Sequence, residues 1–362
     1  MPYIEVGLAT ILNQEKRVIK MDNKKQKYVL IILVIIGVIA IGSYSIHSIT
    51  GHTIGRTSKT QDVTVMMPFP PLSIWAPFYT ALDKGYYEKE GLNVNILHSN
   101  EGSMGSIKQV VSDNAQFGYA GVESIVLARS KDMPVIAIYK IEQRQPFRII
   151  AKKETGIAEL NDLVGKKFAT PSFGSSAYII DRIMLHKAGV DYNKIDFIPT
   201  GAMARLPSFL QNKVDAMDSH LIYEIILNLQ NKPINVIQAS DYTNMPGIQV
   251  ITSEKMIKEN PELVEKFVRA TKKGLVDAID NPEGAIDSFI EFSPEAAEKK
   301  EFNLALWKKH IDEILLDENG QIPNGKFSYN KWAEAQNELD DVGLLDKKTP
   351  VSEMYTNKFL PN

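Results

Sequence analysis

Pro68–Val94 reads PFPPLSIWAPFYTALDKGYYEKEGLNV, and its interpretation decides the fold. Prolines at 68, 70 and 71 keep the opening extended, because each locks φ and removes a backbone donor. The run IWAPFYTALDKG then has helix length, a charged turn follows, and LNVNIL (92–97) is a short apolar run of strand type. Upstream, VTVMM (63–67) is another such run. Strand, rigid loop, helix, strand is one turn of an α/β layer. The loop leaves the carboxyl end of the first strand carrying Phe69 and Trp75, with Phe78 and Tyr79 just beyond. Helical packing accounts for Phe78. Phe69 and Trp75, on a stiff loop at a strand exit, are expected to stack on a planar ligand.

Working outward, AQFGYAG (115–121), PVIAIY (134–139) and FRIIA (147–151) are further strands, with SIKQVVSD and ESIVLARSKD as helices between them. This alternation predicts a parallel sheet. A second series begins near Lys166: KKFATP, helical AYIIDRIMLHKAG, KIDFIPT, LPSFLQN, VDAMDS, a helix from about His220 to Gln230, and INVIQAS. After PGIQVIT the texture becomes helical. Asn260-Pro261-Glu262, Asn281-Pro282-Glu283 and Ser293-Pro294-Glu295 each offer a cap, a proline at the first helical position and an acid in the first turn. Leu263, Phe267, Val268, Thr271 and Leu275 share one face of the first of these helices.

The chain has 362 residues, 44% of them hydrophobic and 23% charged, enough for two lobes with a core each. A net charge of −3 with no basic stripe argues against a nucleic-acid partner. There is no cysteine, which removes disulfides, thiolate chemistry and a lipid-modified anchor. Residues 1–27 form a basic N-terminus, with six basic against three acidic side chains; Met21 opens MDNKKQKYVL, a compact signal start. Residues 28–46 begin with the unbroken apolar run YVLIILVIIGVIAI and are expected to be a signal or transmembrane segment, with the exported side following it. Its length lies between a signal core and a full span, so cleaved signal and retained anchor both stay open. Residues 47–61, rich in Ser, Thr and Gly, read as a flexible stalk.

No phosphate-binding glycine motif, nucleophile elbow or zinc-protease motif occurs. His98, His186, His220 and His310 stand apart in sequence, without metal-ligand spacing. What stands out is loop chemistry. PSFGSSAYIID (171–181) follows a strand and enters a helix, so Ser172, Gly174, Ser175 and Ser176 are candidate ligand contacts. There small residues let the backbone approach, and free N–H groups attract an anionic or carbonyl oxygen. SNEGSMGSIK (99–108), with Ser103, has the same character in the first lobe. The bland alternative for either loop is a plain helix cap.

Taken in order, PFYTALDKGYYEKEGLNV (77–94), ESIVLARSKDMPVIAIYKIEQRQP (123–146), GIAELNDLVGKKFATP (156–171), NKVDAMDSHLIYE (212–224), FVRATKKGLVDAIDNPEGAI (267–286) and TNKFLP (356–361) resemble solute-binding proteins of ABC importers of the sulfonate, nitrate, taurine and thiamine-pyrimidine type. The resemblance covers nearly everything after Val63. It implies a two-lobed, periplasmic-binding-protein-like (type II) α/β fold. Lobe 1 would comprise 62–147 and a return over 246–362 with the C-terminal helices, lobe 2 would comprise 148–245, and a ligand would be clamped between them. It also implies partnership with permease subunits and their cytoplasmic ATPase, an extracytoplasmic location at the outer membrane face, no cofactor and no catalysis. Glu224 matches a family glutamate suited to a ring amine; Glu123, Gln143 and Tyr223 are further ligand candidates by position. Where the pyrimidine branch carries Trp, Asn and His, this chain offers Phe69, Leu72 and Trp75. Enzymatic members carry a cysteine-rich motif, impossible here. The expected ligand is a thiamine-type pyrimidine or similar heterocycle. The alternatives are a small anion such as an alkylsulfonate or nitrate, and a pyrimidine-synthase-like enzyme on the same fold.

Overall fold

A computed structural model describes residues 60–361. The basic N-terminus and the expected signal or transmembrane segment lie outside them, as does most of the expected stalk. Among the described residues no helix is long and apolar enough to cross a membrane. Gln61, expected to end the stalk, already opens the first strand and pairs with Leu92.

Two five-stranded sheets form the framework. The first contains β1 (Gln61–Met67), β2 (Leu92–His98), β3 (Phe117–Gly121), β4 (Val135–Lys140) and β10 (Ile248–Ser253), in the order β2-β1-β3-β10-β4. The second contains β5 (Phe147–Lys152), β6 (Lys167–Thr170), β7 (Asp196–Pro199), β8 (Ala216–His220) and β9 (Ile234–Gln238), in the order β7-β6-β8-β5-β9. β1 is parallel to β2 and β3, and β6 is parallel to β7 and β8. The sheets are nevertheless mixed, not purely parallel as the alternation predicts. β10 lies antiparallel between β3 and β4, and β5 antiparallel between β8 and β9. These two strands follow the stretches in which the chain passes from one sheet to the other, 141–146 and 239–247, so each enters its sheet from the opposite end.

Burial follows position in the sheet. On edge strand β2, Leu92 and Val94 are buried while Asn93 and Asn95 face out, and central β3 is buried throughout. The helices of the first layer are α1 (Ala76–Asp83), α2 (Tyr86–Lys89), α3 (Gly102–Val111) and α4 (Val122–Ser130). The second layer adds α5 (Ser176–Lys187), α6 (Arg205–Leu210) and α7 (Leu221–Leu229). The chain ends with α8 (Glu254–Glu259), α9 (Pro261–Asp280), α10 (Pro282–Phe292), α11 (Lys300–His310) and α12 (Tyr329–Asp341).

The face predicted for α9 is fully inside: Leu263, Phe267, Val268, Thr271 and Leu275 are all buried. Of the three proline-led starts, only Asn281 caps with its side chain, accepting from Gly284 N–H. The third opens a 3-10 turn over Pro294–Lys299, and the α-helix begins only at Lys300. One apolar cluster gathers β1, α1, α9, α10 and α11; another runs from Ile107, Val122 and Ile125 across to Ile179, Ile180 and Trp332, so apolar contact joins the two sheet layers.

Candidate functional site

The site grows from strand exits. After β1 the chain runs through Pro68 to Leu72, as the prolines require, and Phe69 ends half-buried with its ring 3.7 Å from where a side chain on Gly102 would begin. Gly102 itself has φ +69°, the left-handed region, so α3 starts on a turn that glycine permits and that leaves room for the ring. His98, at the end of β2, ties the loop down. Its Nδ1 lies 2.7 Å from the Phe69 carbonyl, which can only accept, so Nδ1 carries the proton and Nε2 receives the Tyr79 hydroxyl at 3.1 Å. Burial pushes this imidazole below its ordinary pKa, which keeps it neutral in that role.

Facing this loop, β6 leads through Pro171 to Ser175 into α5. The Ser175 hydroxyl accepts from Tyr178 N–H at 3.3 Å and donates to the Ser172 carbonyl at 2.8 Å. The N-terminus of α3, in contrast, has no side-chain cap. Between the two loops lies a cavity of about 270 Å³. Phe69, Asn100, Glu101, Gly102, Ser103, Met104 and Ser124 line it from the first sheet layer. Phe147, Pro171, Ser172, Gly174, Ser175, Ser176, Ala177, Ala202 and Arg205 line it from the second. The Ser124 and Ser176 hydroxyls meet across the divide at 3.3 Å.

Seven of the residues expected from the sequence therefore meet or adjoin here: Phe69, Ser103, Ser172, Gly174, Ser175 and Ser176 line the cavity, and Glu123 sits beside it. The Ser175 and Ser103 hydroxyls are already engaged, Ser103 Oγ accepting from Gly121 N–H at 3.1 Å. Glu123 is buried behind Ser124, whose hydroxyl donates to it at 3.1 Å. Burial raises its carboxyl above the ordinary range, and Ser176 and Ser124 oppose the rise.

The other expectations are corrected. Trp75 is completely buried, its indole N–H donating to the Pro70 carbonyl at 3.2 Å and its ring edge-on to Tyr119 at 5.4 Å. The loop ends in a 3-10 turn, Ser73–Trp75, that turns the indole inward, so Trp75 has no face left for a ligand. Glu224 is buried against Arg148 and, at 3.2 Å, Lys309, two cations that neutralise it away from the cavity. Gln143 lines a different cavity, with Lys140 and Arg144. Tyr223 acts from behind: its hydroxyl donates to the Ala202 carbonyl at 3.0 Å and its ring lies 5.3 Å under the Arg205 guanidinium.

Arg205 is the contact that sequence reading missed. Nη1 donates to the carbonyl and carboxylate of Asp218, which is fully buried in the middle of β8. Asp181, on α5 four residues beyond Ala177, is buried nearby with neither carboxyl oxygen hydrogen-bonded. Burial pushes Asp181 well above the ordinary carboxylate range, the charge of Asp218 adding to it; Asp218 is also raised by burial, and Arg205 opposes that. Arg205 thus stands on an anionic support with its charge against the cavity. The arginine just before LPSFLQN carries no local signal, because the carboxylate that orients it is 13 residues away. Phe147 and Ser124 were missed for a similar reason: their segments read as ordinary strand and helix. Among the described residues no group of His, Cys, Asp and Glu could hold a metal ion.

The pattern of the family described as NMT1/THI5 like matches residues 74–285. A riboflavin-binding protein, RibY, of Chloroflexus aurantiacus is 30% identical over 83% of this chain and 86% of its own. A formylaminopyrimidine-binding protein of Halalkalibacterium halodurans is 24% identical over 84% and 93%. A 4-amino-5-hydroxymethyl-2-methylpyrimidine phosphate synthase of Legionella pneumophila is 25% identical over 84% and 94%. Among solved structures, the periplasmic aliphatic sulphonate binding protein SsuA of Escherichia coli superposes with a TM-score of 0.65 at 14% identity, covering 83% of this chain and 94% of its own. The fold is thus the two-sheet α/β arrangement of the periplasmic-binding-protein kind, and the chain belongs to the NMT1/THI5-like family.

Proposed function

We propose that the chain is an extracytoplasmic solute-binding protein that captures a small planar nitrogen heterocycle of the thiamine-pyrimidine kind between its two lobes and hands it to an ABC permease. The observation that carries this reading is the cavity itself, with an aromatic face, Phe69, on one side, helix-start N–H groups on both, and Arg205 within. Stacking suits a flat ring, and the donors suit its carbonyl or ring-nitrogen acceptors. At about 270 Å³ the cavity lies near the lower end of small-molecule sites, which span about 300–1,000 Å³, and this favours a one-ring ligand over a three-ring flavin. The 30% identity to a riboflavin-binding protein across most of both chains favours binding over turnover. A tether through residues 28–46 would concentrate loaded protein at the permease.

A small anion such as an alkylsulfonate is the second reading, favoured by Arg205 and the two helix starts. Thermal unfolding with formylaminopyrimidines, riboflavin and alkylsulfonates separates them: a ligand at about 100 times its Kd stabilises by about 2.7 kcal/mol. A pyrimidine is expected to raise Tm, and Phe69→Ala to weaken that binding about tenfold through the lost stacking surface, worth about 0.5–1.5 kcal/mol beyond its area. A response to alkylsulfonates alone would overturn the pyrimidine assignment.

A further inference from the structure

Away from the cleft, the two segments that pass between the sheets enclose a second cavity, of about 370 Å³. Lys140 at the end of β4 lines it with Gln143 and Arg144 of the first crossing and Ser240, Thr243 and Asn244 of the second. Lys331 of α12 and the turn residues Asp317 and Glu318 complete the wall. Its amino groups are unpaired: among the described residues neither Lys140 Nζ nor Lys331 Nζ has a hydrogen-bond or ion-pair partner. The acids do not supply one. Asp317 Oδ1 accepts from Asn319 and Gln321 N–H at 2.8 Å within its own turn, and Glu318 is exposed. Arg144 Nη1 donates to the carbonyls of Glu313 and Leu316, both at 3.1 Å. Thr243 and Asn244 are held by Glu338 and Glu334 of α12.

Two half-buried ammonium groups sharing one wall, neither of them ion-paired and with the turn-bound Asp317 carboxylate as partial offset, favour a further anionic partner. The Lys140 amine shows the strain: burial first, then Lys331, push it down to about 8, Asp317 opposing. We propose that this cavity binds a phosphate group, free or carried on a small ester, between Lys140 at the end of β4 and Lys331 of α12, against the two crossing segments. Since both crossings wall the cavity, occupancy couples to whatever relative motion the lobes undergo, and the coupling is reciprocal.

Calorimetric titration of the full chain at constant ionic strength tests this, with inorganic phosphate, glycerol phosphate and chloride as titrants. Binding of either phosphate but not chloride is expected. Lys331→Gln and, separately, Lys140→Gln should each weaken it about tenfold, the scale of one charge-assisted hydrogen bond. Raising the pH from about 7 to about 9.5 should weaken it too, because Lys140, pushed down to about 8, loses its proton over that interval. Hydrogen exchange of residues 141–146 and 239–247 should slow with phosphate in the parent and not in Lys331→Gln, whose site on a half-buried helix face spares the core. Glycerol phosphate binding at least as tightly as phosphate assigns the site to an ester, weaker binding to the free anion. No heat beyond chloride, or parent-like affinity in both variants, overturns the proposal.

Discussion

Trp75 and Phe69 lie six residues apart on one loop and have opposite fates. The indole of Trp75 has zero exposure, packs on Tyr119 and satisfies its N–H on Pro70, while Phe69 keeps a face on the cleft. Trp75→Ala is therefore expected to lower stability by about 3–5 kcal/mol in urea unfolding, the usual cost of emptying a buried aromatic site. Phe69→Ala should leave the unfolding midpoint nearly unchanged and alter ligand affinity. Arg148 and Glu224 make the same point for charge. A buried guanidinium on β5 meets Glu224 of α7 and, at 3.1 Å, Glu313, so the acid expected to reach a ligand instead serves an ion cluster. Sequence spacing names the residue types that could do either job; only the neighbours decide which.

At the level of elements, close contact between helices depends on one position. On α9, Gly274 lies against α1: a Cβ there would fall within the contact distance of the Pro77 carbonyl and 2.6 Å from the Ala81 Cβ. Gly274 has ordinary helical φ, so a larger residue would gain helix propensity, about 1 kcal/mol for alanine. The clash wins because its partners are backbone and a short side chain that cannot swing aside. Gly274→Leu should destabilise by more than about 2 kcal/mol by chemical denaturation, as overpacking at a helix crossing does. Unchanged stability would mean that α1 and α9 sit further apart. α9 itself was legible, since its proline start and its 3.6-residue apolar period agree. β5 was legible as a strand but not in direction, because an apolar run reads the same whichever neighbour it pairs with.

For the molecule as a whole, the junction of the two layers is where titration acts on stability. His220, at the end of β8, is half-buried, edge-on to Phe147, and stacks at 6.2 Å on His310 of α11, which lies 3.4 Å from buried Glu142 of the first crossing. Burial first, then His310, Arg148 and Arg205, push the His220 imidazole well below its ordinary value. The unfolded chain therefore binds its proton first as pH falls. The contribution is intact above about pH 6.5 and is lost below it, at up to about 1.4 kcal/mol per pH unit. Unfolding free energies measured between about pH 7.5 and pH 5.5 should fall less steeply in His220→Gln than in the parent. Equal slopes would show that this histidine does not remain neutral in the folded state.

The succession of strands and helices, the buried face of α9 and the two serine- and glycine-rich loops at strand exits were determined by the sequence alone, because periodicity, proline and glycine act through the nearest few residues. Tertiary structure alone decided which loop residues face the cleft, why Arg205 stands on Asp218, why Trp75 and Glu224 turn away, and that two lysines 191 positions apart, Lys140 and Lys331, share a wall. Those outcomes depend on burial and on partners distant in the chain, and neither quantity exists until the two sheets have been brought together.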